Sequence, residues 1–503
     1  MDSLIGVYKE YIQNQSGSSS REQLLRSFVS NQNEDTNIFS NLLENKMESP
    51  IEGPRDFIQC IHHILSLIFV YQSNFSGNNF FLLQLKEMID LSMVKGVWKE
   101  FQLGSALLAL SWDLLGEPKD EVYVNLMPKG GALIDPGLHT LDGQIPNPLM
   151  NAELALIWIF LGWTRENEEL FSSGIKLASS LMSLFDNDGL PFHALWLKEE
   201  DYQPEYFFSI YALLFSISFY FTECPKMELF SVTLLNELKT LLKDSSYTPA
   251  VFPILFSFAC EAMLYKDKRK STLPEESLIQ RIDKGVGFSS FQSENFSIAC
   301  TASGVNTGLG AIYKNGIKII SYGPHFSPLA DSSRFGLFRT CAGKGGGFND
   351  IAFENNENDF QFKGWSRLIS PCTSHLSKQN FTNAQPGDQW IFFDTQVKKE
   401  VTHLTIKFLK THYDSLYFVF FVSAKVAYIK EKKGLVPGSL CRYQGESYPV
   451  VIENNESKVV ILPHFSTEMQ VIPLAGKKHF WAADFLIAFP IHETIDAYSW
   501  TIS

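Results

Sequence analysis

The sequence predicts a multidomain α-then-β protein, in which an N-terminal helical-hairpin (α/α) toroid-like domain precedes an antiparallel β-sandwich domain. Before residues 266–285, apolar residues recur at helical spacing. After this stretch they alternate or form short blocks separated by glycine, a pattern typical of strands. We therefore expect the helical domain over 1–270, a linker over 271–284 and the β-sandwich over 285–503.

The helical half divides into successive antiparallel pairs, because turn-forming residues such as Gly53-Pro54 and Cys224-Pro225 separate its periodic stretches. Helices of this length joined by short turns form a bundle, a superhelical repeat array or a closed ring. Without a strict sequence repeat, these three alternatives stay open. The predicted helices cover 4–14, 21–29, 36–46, 55–73, 80–94, 98–115, 150–163, 167–185, 204–222, 227–243 and 250–265.

The second half begins with a strong hairpin signal. Asn315-Gly316 separates the apolar blocks 310–313 and 317–322, and Asn-Gly is a favoured two-residue hairpin turn. No long helix is predicted among the later strands, so they indicate two packed antiparallel sheets. These further strands are predicted at 334–340, 389–395, 401–409, 415–424, 449–453, 457–462, 468–473 and 480–489.

Composition limits the function classes. The 503-residue chain is 45% hydrophobic, enough for two or more packed cores, and its formal net charge is -13. Nucleic-acid binding is not expected, because phosphate contacts need clustered Lys and Arg. The seven cysteines form no Cys-x-x-Cys pair, which suits a reducing compartment. No basic start precedes an apolar run, so we expect a cytoplasmic protein, with signal-independent export as the alternative.

Two apolar stretches, 58–71 and 206–221, raise the question of a membrane span. Each is shorter than the roughly 20 apolar residues that a spanning helix needs. The second stretch lies among other apolar helices such as 251–264, which favours a helix buried by its neighbours. We therefore predict no membrane span.

A loop rich in Gly, Pro and Asp, 127–147, interrupts the helical half. A connection this long inside a compact helical domain is usually functional or mobile. Asp135, His139 and Asp142 supply carboxylates and an imidazole, which act as acid, base or metal ligand near neutral pH. The alternative is that the aspartates belong to turns and that His139 is merely exposed.

A second loop of interest, 185–206, begins with an Asp-Gly turn and continues into aromatic and polar residues. Its start resembles part of a calcium loop, but the glutamate that completes an EF-hand is missing, so we predict no metal and no cofactor. Aromatic rings offer stacking surface to sugars, although aromatic residues at this spacing also form helical cores. The candidates here are His193, Trp196, Tyr202, Glu205 and Tyr206.

The order of the two halves, and the stretch from Gly304 to Pro324, resemble the heparinase II/III-like polysaccharide lyases, in which a similar stretch forms the first sandwich hairpin. In that family a His-x-Asp pair just before the hairpin supplies an imidazole and a carboxylate. Aligned on Asn315-Gly316, this sequence has Gly304 and Asn306 at those two positions. Glycine cannot replace a histidine ligand of zinc, so a metal site of the family type is not expected.

The resemblance implies lyase chemistry on an acidic glycan or oligosaccharide in a cleft between the two domains. Such chemistry needs a base near the uronate C5 proton and a group that stabilises charge on the uronate carboxylate. Asn306 equally suits a turn cap, and the two candidate arginines equally suit ion pairs. The candidate bases are His139, His193, Tyr202 and Tyr206. The candidate substrate-binding residues are Asp135, Asp142, Trp196, Glu205, Asn306, Arg334 and Arg339.

Two alternatives to an active enzyme follow from the same sequence. One is a non-catalytic interaction or scaffold protein with the same two-domain architecture, since the His-x-Asp pair is missing. The other is a helical-repeat interaction protein with an appended β domain. The sequence selects neither a substrate nor an oligomeric state.

Overall fold

The computed structural model resolves the chain into two compact units. The first comprises Met1–Leu138, Pro148–Met182 and Gln203–Pro274, and the second comprises His139–Asn147, Ser183–Tyr202 and Glu275–Ser503. The structure describes residues 4–14, 39, 43, 51, 53–94, 96–123, 126, 139–140, 143–146, 148–195, 203–244, 247, 250–264, 280–283, 288–302, 309–326, 352–355, 360–369, 386–409, 416–430, 434–474, 480–492 and 494–503.

The first unit is helical. Each predicted helix that falls on described residues is present, with bounds within a few residues of those expected. The predicted helices 21–29 and 36–46 lie outside the described residues, apart from Phe39 and Leu43. The described helices are α1 (Leu4–Asn14), α2 (Pro54–Val70), α3 (Asn79–Met93), α4 (Gln102–Leu114), α5 (Asp120–Tyr123), α6 (Pro148–Thr164), α7 (Glu168–Leu181), α8 (Pro204–Thr222), α9 (Pro225–Leu241) and α10 (Val251–Leu264).

Five of these helices close into a ring. α2 contacts α4, α4 contacts α6, α6 contacts α8, α8 contacts α10, and α10 contacts α2 again. Outer helices complete the hairpins, with α3 on α2, α7 on α6 and α9 on α8, while α1 packs against α10 and α8. The closed ring selects one of the three arrangements that the sequence left open and confirms the predicted α/α toroid-like domain.

Burial explains why the inner helices are apolar on every side. In α6 all residues from Asn151 to Gly162 are buried, and in α4 all from Gln102 to Trp112 are buried. A helix with neighbours on all sides needs apolar residues around its whole circumference. The helix α8 has the length and hydropathy of a membrane span, yet 67% of that window is buried within the ring. Its apolar character therefore follows from its inner position.

The second unit contains two large antiparallel sheets and a small hairpin. Its described strands are β1 (His139–Thr140), β2 (Gly143–Pro146), β3 (Gln280–Asp283), β4 (Phe288–Ser293), β5 (Phe296–Thr301), β6 (Gly310–Lys314), β7 (Ile317–Phe326), β8 (Ala352–Asn355), β9 (Gln361–Ile369), β10 (Pro386–Lys398), β11 (Val401–Leu409), β12 (Leu416–Ser423), β13 (Val426–Ile429), β14 (Tyr443–Glu446), β15 (Val450–Asn454), β16 (Ser457–Pro463), β17 (Glu468–Pro473), β18 (Phe485–Pro490) and β19 (Tyr498–Ile502). The eight-stranded sheet has the order β13-β15-β16-β19-β11-β10-β9-β8, and the nine-stranded sheet has the order β14-β17-β18-β12-β7-β6-β5-β4-β3.

The predicted sandwich is confirmed, and so is its first hairpin. β6 pairs with β7 across Asn315 and Gly316, whose φ angles of 50° and 78° are those of a left-handed hairpin turn. β3 lies within the stretch 271–284 that the sequence predicted as a linker. The strand expected at 480–489 was wrong in its start, since it begins only at Phe485, and Trp481 and Ala482 before it have left-handed φ angles of 54° and 61°. The strand predicted at 334–340 lies outside the described residues.

The nine-stranded sheet is apolar on both faces. Phe418 and Phe420 of β12 point into the core between the sheets, where Phe418 stacks on Trp500 with ring centroids 4.6 Å apart. The alternate residues Val419 and Phe421 join a second cluster with Ala194 and Trp481. Side chains alternate between the two faces of a sheet along each strand. The continuous hydrophobic run in β12 therefore indicates that the sheet is covered on both faces here.

The segment 183–202 belongs to this second unit although helices of the first unit flank it in the chain. The carbonyl of Phe185 accepts a hydrogen bond from the amide of Gln292, and the carbonyl of Pro191 accepts one from the hydroxyl of Tyr313. The rings of Phe192 and Tyr313 pack 4.8 Å apart. The described part of this segment, 183–195, is therefore attached to the nine-stranded sheet.

Candidate functional site

Three polar side chains meet inside the helical ring, each from a different inner helix. His62 of α2 lies with its Nε2 atom 3.0 Å from the Oε2 atom of Glu153 of α6. The Tyr206 hydroxyl of α8 donates to Oε1 of the same carboxylate at 2.8 Å. Glu153 is only 3% exposed, and a buried carboxylate needs such donors to offset its lost hydration. We call these three residues the His62 cluster.

The inner helix α10 also contacts His62 and fixes the plane of its imidazole ring. The ring of Phe252, at the start of α10, stacks on the His62 ring at a centroid distance of 4.4 Å and an angle of 11°. The Tyr206 ring lies on α8 with its centroid 6.0 Å from that of His62. The imidazole is thus held at one ring atom by Glu153 and over one face by Phe252.

The hydrogen bonds define the proton positions within the cluster. A carboxylate only accepts hydrogen bonds, so we assign the proton of the His62–Glu153 contact to Nε2 of His62. In the neutral imidazole the Nδ1 atom then has the lone pair, and no described residue is hydrogen-bonded to it. The side chain of His62 is 17% exposed, so the imidazole is not fully closed off from solvent.

Tyr206 is a hydrogen-bond donor to Glu153 and not a base. Burial, followed by the negative charge of Glu153, raises the pKa of the Tyr206 phenol well above its ordinary value. The hydroxyl therefore stays protonated at neutral pH and serves as a donor that holds Glu153. A carboxylate that orients an imidazole, whose other nitrogen has no hydrogen bond to a described residue, is an arrangement suited to general-base catalysis.

A neighbouring hydrogen-bond chain supports the first turn of α8. The Ser209 hydroxyl donates to the carbonyl of Glu205 at 2.5 Å, and Tyr8 of α1 lies 2.6 Å from the Ser209 hydroxyl. Since Ser209 already donates its proton, Tyr8 is the donor in the second contact. The chain ties α1 to the helix that carries Tyr206.

The candidates chosen from the sequence are distributed over both units. Tyr206 lies in the His62 cluster, and Glu205 precedes it in the first turn of α8. His139 lies in the short strand β1 of the second unit, and its side chain is outside the described part. The other candidates that lie outside the described residues are Asp135, Asp142, Trp196, Tyr202, Asn306, Arg334 and Arg339.

His193 lies in the second unit, in a short helical turn of the segment 183–202. Its Nδ1 atom is 3.3 Å from the carbonyl oxygen of Pro191. Burial lowers the pKa of His193 to about 3, so the imidazole is neutral at physiological pH and donates from Nδ1 to that carbonyl. This environment favours a structural role within the segment, because the hydrogen bond joins two of its own residues.

The same segment contains a carboxyl group with a raised pKa. Asp186 is 4% exposed, and its Oδ1 atom accepts from the backbone amides of Asp188 at 3.0 Å and Leu190 at 2.7 Å. Burial raises the pKa of Asp186 to about 6, although these amides and Lys318 oppose the shift. The pKa of Asp186 is higher in the folded state than in the unfolded state. Its contribution to the free energy of unfolding is therefore complete below about pH 3.8 and is lost as pH rises through about 6.

Replacing Asp186 with asparagine is expected to remove this pH dependence. The amide oxygen of the asparagine still accepts the hydrogen bonds of the turn, but the amide does not ionise. The free energy of unfolding of Asp186→Asn, relative to the wild type, should therefore increase by about 1 to 3 kcal/mol from about pH 4 to pH 8. Urea unfolding of the full chain at several pH values measures the difference. Glu294→Gln, at an exposed turn of the same unit, is the control that should keep the wild-type profile. A pH-independent difference for Asp186→Asn would contradict the assignment.

Sequence reasoning missed His62 and Glu153. His62 lies in the apolar stretch 58–71, where the sequence predicted a helix but no site, and Glu153 is an isolated carboxylate in the apolar helix α6. The available signal was that isolated carboxylate, since a buried glutamate almost always has a partner. Its partner lies 91 positions away, and periodicity does not reveal contacts at that separation.

Among the described residues, no group of three or more His, Cys, Asp or Glu side chains could hold a metal ion. The His62 cluster has one carboxylate and one imidazole, whereas zinc sites in proteins use three or four such ligands. Within the described cluster, the imidazole of His62 and the carboxylate of Glu153 are groups that can exchange a proton.

Comparison with known proteins gives distant structural likenesses. No protein-family model and no curated protein matches the chain. The 4-alpha-glucanotransferase from Thermococcus litoralis matches 71% of this chain with 11% identity and a TM-score of 0.30, and the chain spans only 57% of that protein. A chondroitin AC lyase from Streptomyces coelicolor A3, solved in complex with chondroitin sulphate, matches all of this chain and 82% of its own, with 10% identity and a TM-score of 0.29. A tyrosine mutant of that lyase matches 96% of the chain with 9% identity and a TM-score of 0.27.

Proposed function

We propose that the helical ring is the catalytic unit of a lyase-like carbohydrate-active enzyme and that His62 is its base. The observation that carries the proposal is the carboxylate of Glu153, which holds the Nε2–H group of His62 and leaves Nδ1 as the acceptor. The sequence resemblance of the stretch from Gly304 to Pro324 to the heparinase II/III-like lyases supports the choice of an acidic glycan as substrate.

In the proposed reaction, Nδ1 of His62 takes the proton from the uronate carbon next to the carboxylate. The electron pair of that C–H bond forms a C–C double bond, and the C–O bond to the neighbouring sugar breaks. The leaving oxygen then takes the proton from the imidazolium, directly or relayed through a water molecule, so the base returns to its neutral form. Glu153 stabilises the imidazolium during this cycle, and Tyr206 keeps the carboxylate in place.

A structural tie between inner helices is the competing interpretation of the same cluster. Glu153 is buried, and its contacts with His62 and Tyr206 join α2, α6 and α8. If this were the whole role, the protein would be a non-catalytic interaction or scaffold protein. Turnover distinguishes the two interpretations, because a tie requires no reaction.

The test is an activity screen of the full chain. Chondroitin sulphate, heparan sulphate, hyaluronan, alginate and polygalacturonate are incubated with the protein, and products are followed by ultraviolet absorbance of the new double bond and by mass spectrometry. We expect unsaturated oligosaccharides from at least one of these polymers. Saturated products would point to hydrolysis, and no product and no binding with any of them would leave the scaffold interpretation in place.

Replacing Tyr206 with phenylalanine is expected to lower kcat about tenfold without abolishing the reaction. The variant removes a donor to a charged buried carboxylate, an interaction of about 1.5 kcal/mol or more, while His62 keeps its contact with Glu153. Steady-state kinetics on the polymer found in the screen measure the change. Tyr220→Phe on the same helix is the matched control. A complete loss of activity in a folded Tyr206→Phe would instead indicate that the tyrosine itself transfers the proton.

A further inference from the structure

A pocket of about 440 Å³ opens where the carboxyl ends of three inner helices meet. Asp113 lies at the end of α4, Arg165 directly follows α6, and Gln72 follows α2. The volume falls within the range of about 300 to 1,000 Å³ that is common for small-molecule sites. Arg165 lies twelve positions after Glu153, about 18 Å along α6 at roughly 1.5 Å per residue, so this pocket is separate from the His62 cluster.

A hydrogen-bonded network fixes the polar wall of the pocket. Nε of Arg165 donates to Oδ2 of Asp113 at 2.6 Å, and Nη2 donates to Oδ1. The Tyr123 hydroxyl donates to the same Oδ1 atom at 2.6 Å, and the guanidinium carbon lies 3.7 Å from the centre of the Tyr123 ring. The guanidinium and the carboxylate therefore have fixed orientations before any ligand arrives.

The network leaves unused hydrogen-bonding capacity among the residues that line the pocket. A guanidinium has five N–H donors, of which Asp113 takes two, and the Arg165 side chain is 28% exposed. The amide of Gln72 donates to the carbonyl of Leu114 and keeps its oxygen as an acceptor. Phe160 adds an apolar wall between these polar groups. The pocket thus combines fixed donors and acceptors with one aromatic surface.

The charge balance selects the class of ligand. Arg165 is the one cation among the described residues that line the pocket, and Asp113 already neutralises it. The carboxyl ends of three helices also meet here, and each carries partial negative charge that disfavours an anion. Paired donors and acceptors suit adjacent hydroxyl groups, and an aromatic surface suits a sugar ring. We propose that this pocket binds a neutral, polyhydroxylated ligand such as a sugar unit without a carboxylate.

The experiment measures binding by the full chain, without reference to turnover. Glucose, galactose, N-acetylglucosamine, maltose and cellobiose are titrated against the protein, with glucuronate as the anionic comparison. Saturation-transfer NMR detects binding, and calorimetry gives Kd. Gln72→Leu is the test variant because Gln72 is exposed, and Gln59→Leu, at an exposed position of α2, is its matched control. His62→Gln separates this pocket from the His62 cluster.

We expect at least one neutral sugar to bind and glucuronate to bind more weakly. Loss of one hydrogen bond should raise Kd about fivefold in Gln72→Leu and leave it unchanged in Gln59→Leu and His62→Gln. The proposal is overturned if no neutral sugar binds, if glucuronate binds more tightly, or if Gln72→Leu binds as the wild type does. The proposal does not rest on the lyase activity, so either one can fail without the other.

Discussion

Replacing His62 with glutamine is expected to lower kcat/KM on the cleaved glycan by about 10²- to 10⁴-fold, the usual contribution of a positioned general base. Glutamine keeps an N–H donor for the buried carboxylate of Glu153 but has no basic nitrogen. The substitution therefore separates the catalytic role from the structural one. Kinetics on the polymer identified by product analysis measure the loss, and urea unfolding establishes that the variant is folded.

His63→Gln is the matched control for this variant, because it changes the same residue type at the next position of α2. We expect it to keep wild-type kinetics, since the described contact with Glu153 belongs to His62. Equal losses in the two variants would indicate a general effect on α2. A folded His62→Gln with unchanged activity would exclude His62 as the base.

Replacing Gly162 with alanine is expected to have the largest effect on stability. Gly162 of α6 faces α7 so closely that an added Cβ atom would lie 2.4 Å from the backbone nitrogen of Phe171. Gly174 makes the reciprocal approach, since its Cβ would lie 2.8 Å from Ile159 of α6. Backbone atoms cannot rotate away, so the hairpin has to separate. We expect a loss of about 3 kcal/mol or more, the upper range for overpacking.

Urea unfolding of the full chain, followed by circular dichroism, measures this loss. Gly77→Ala is the control, because no atom lies within 4 Å of a Cβ at Gly77. That substitution should change the free energy of unfolding by less than about 0.5 kcal/mol. If Gly162→Ala were equally mild, the close approach of α6 and α7 would be wrong.

The sequence predicted the elements well because their signals are local. Helical periodicity, together with breakers such as Cys224-Pro225, located the helices within a few residues, and Asn315-Gly316 located the first hairpin. Inner helices could also be recognised in principle, since α6 and α8 are apolar on all sides. These features depend on neighbouring residues alone.

The features that the sequence did not predict depend on contacts between residues far apart in the chain. His62 and Glu153 are paired across the ring at a separation of 91 positions, and the closing contact between α10 and α2 spans most of the helical half. The segment 183–202 joins the β-unit through single side-chain contacts such as that of Tyr313 with the Pro191 carbonyl. Trp481 has a left-handed φ of 54°, which a run of apolar strand residues does not indicate.

The tautomer of His62 tests the central claim most directly. Histidine-labelled ¹⁵N NMR of the full chain, with the His62 signals identified by their loss in His62→Gln, reports which nitrogen has the proton. We predict that the neutral imidazole is protonated at Nε2, with an unprotonated Nδ1 whose resonance shifts when a cleaved glycan is added. A proton on Nδ1 in the neutral form, or an Nδ1 resonance unaffected by every glycan that the protein cleaves, would contradict His62 as the base.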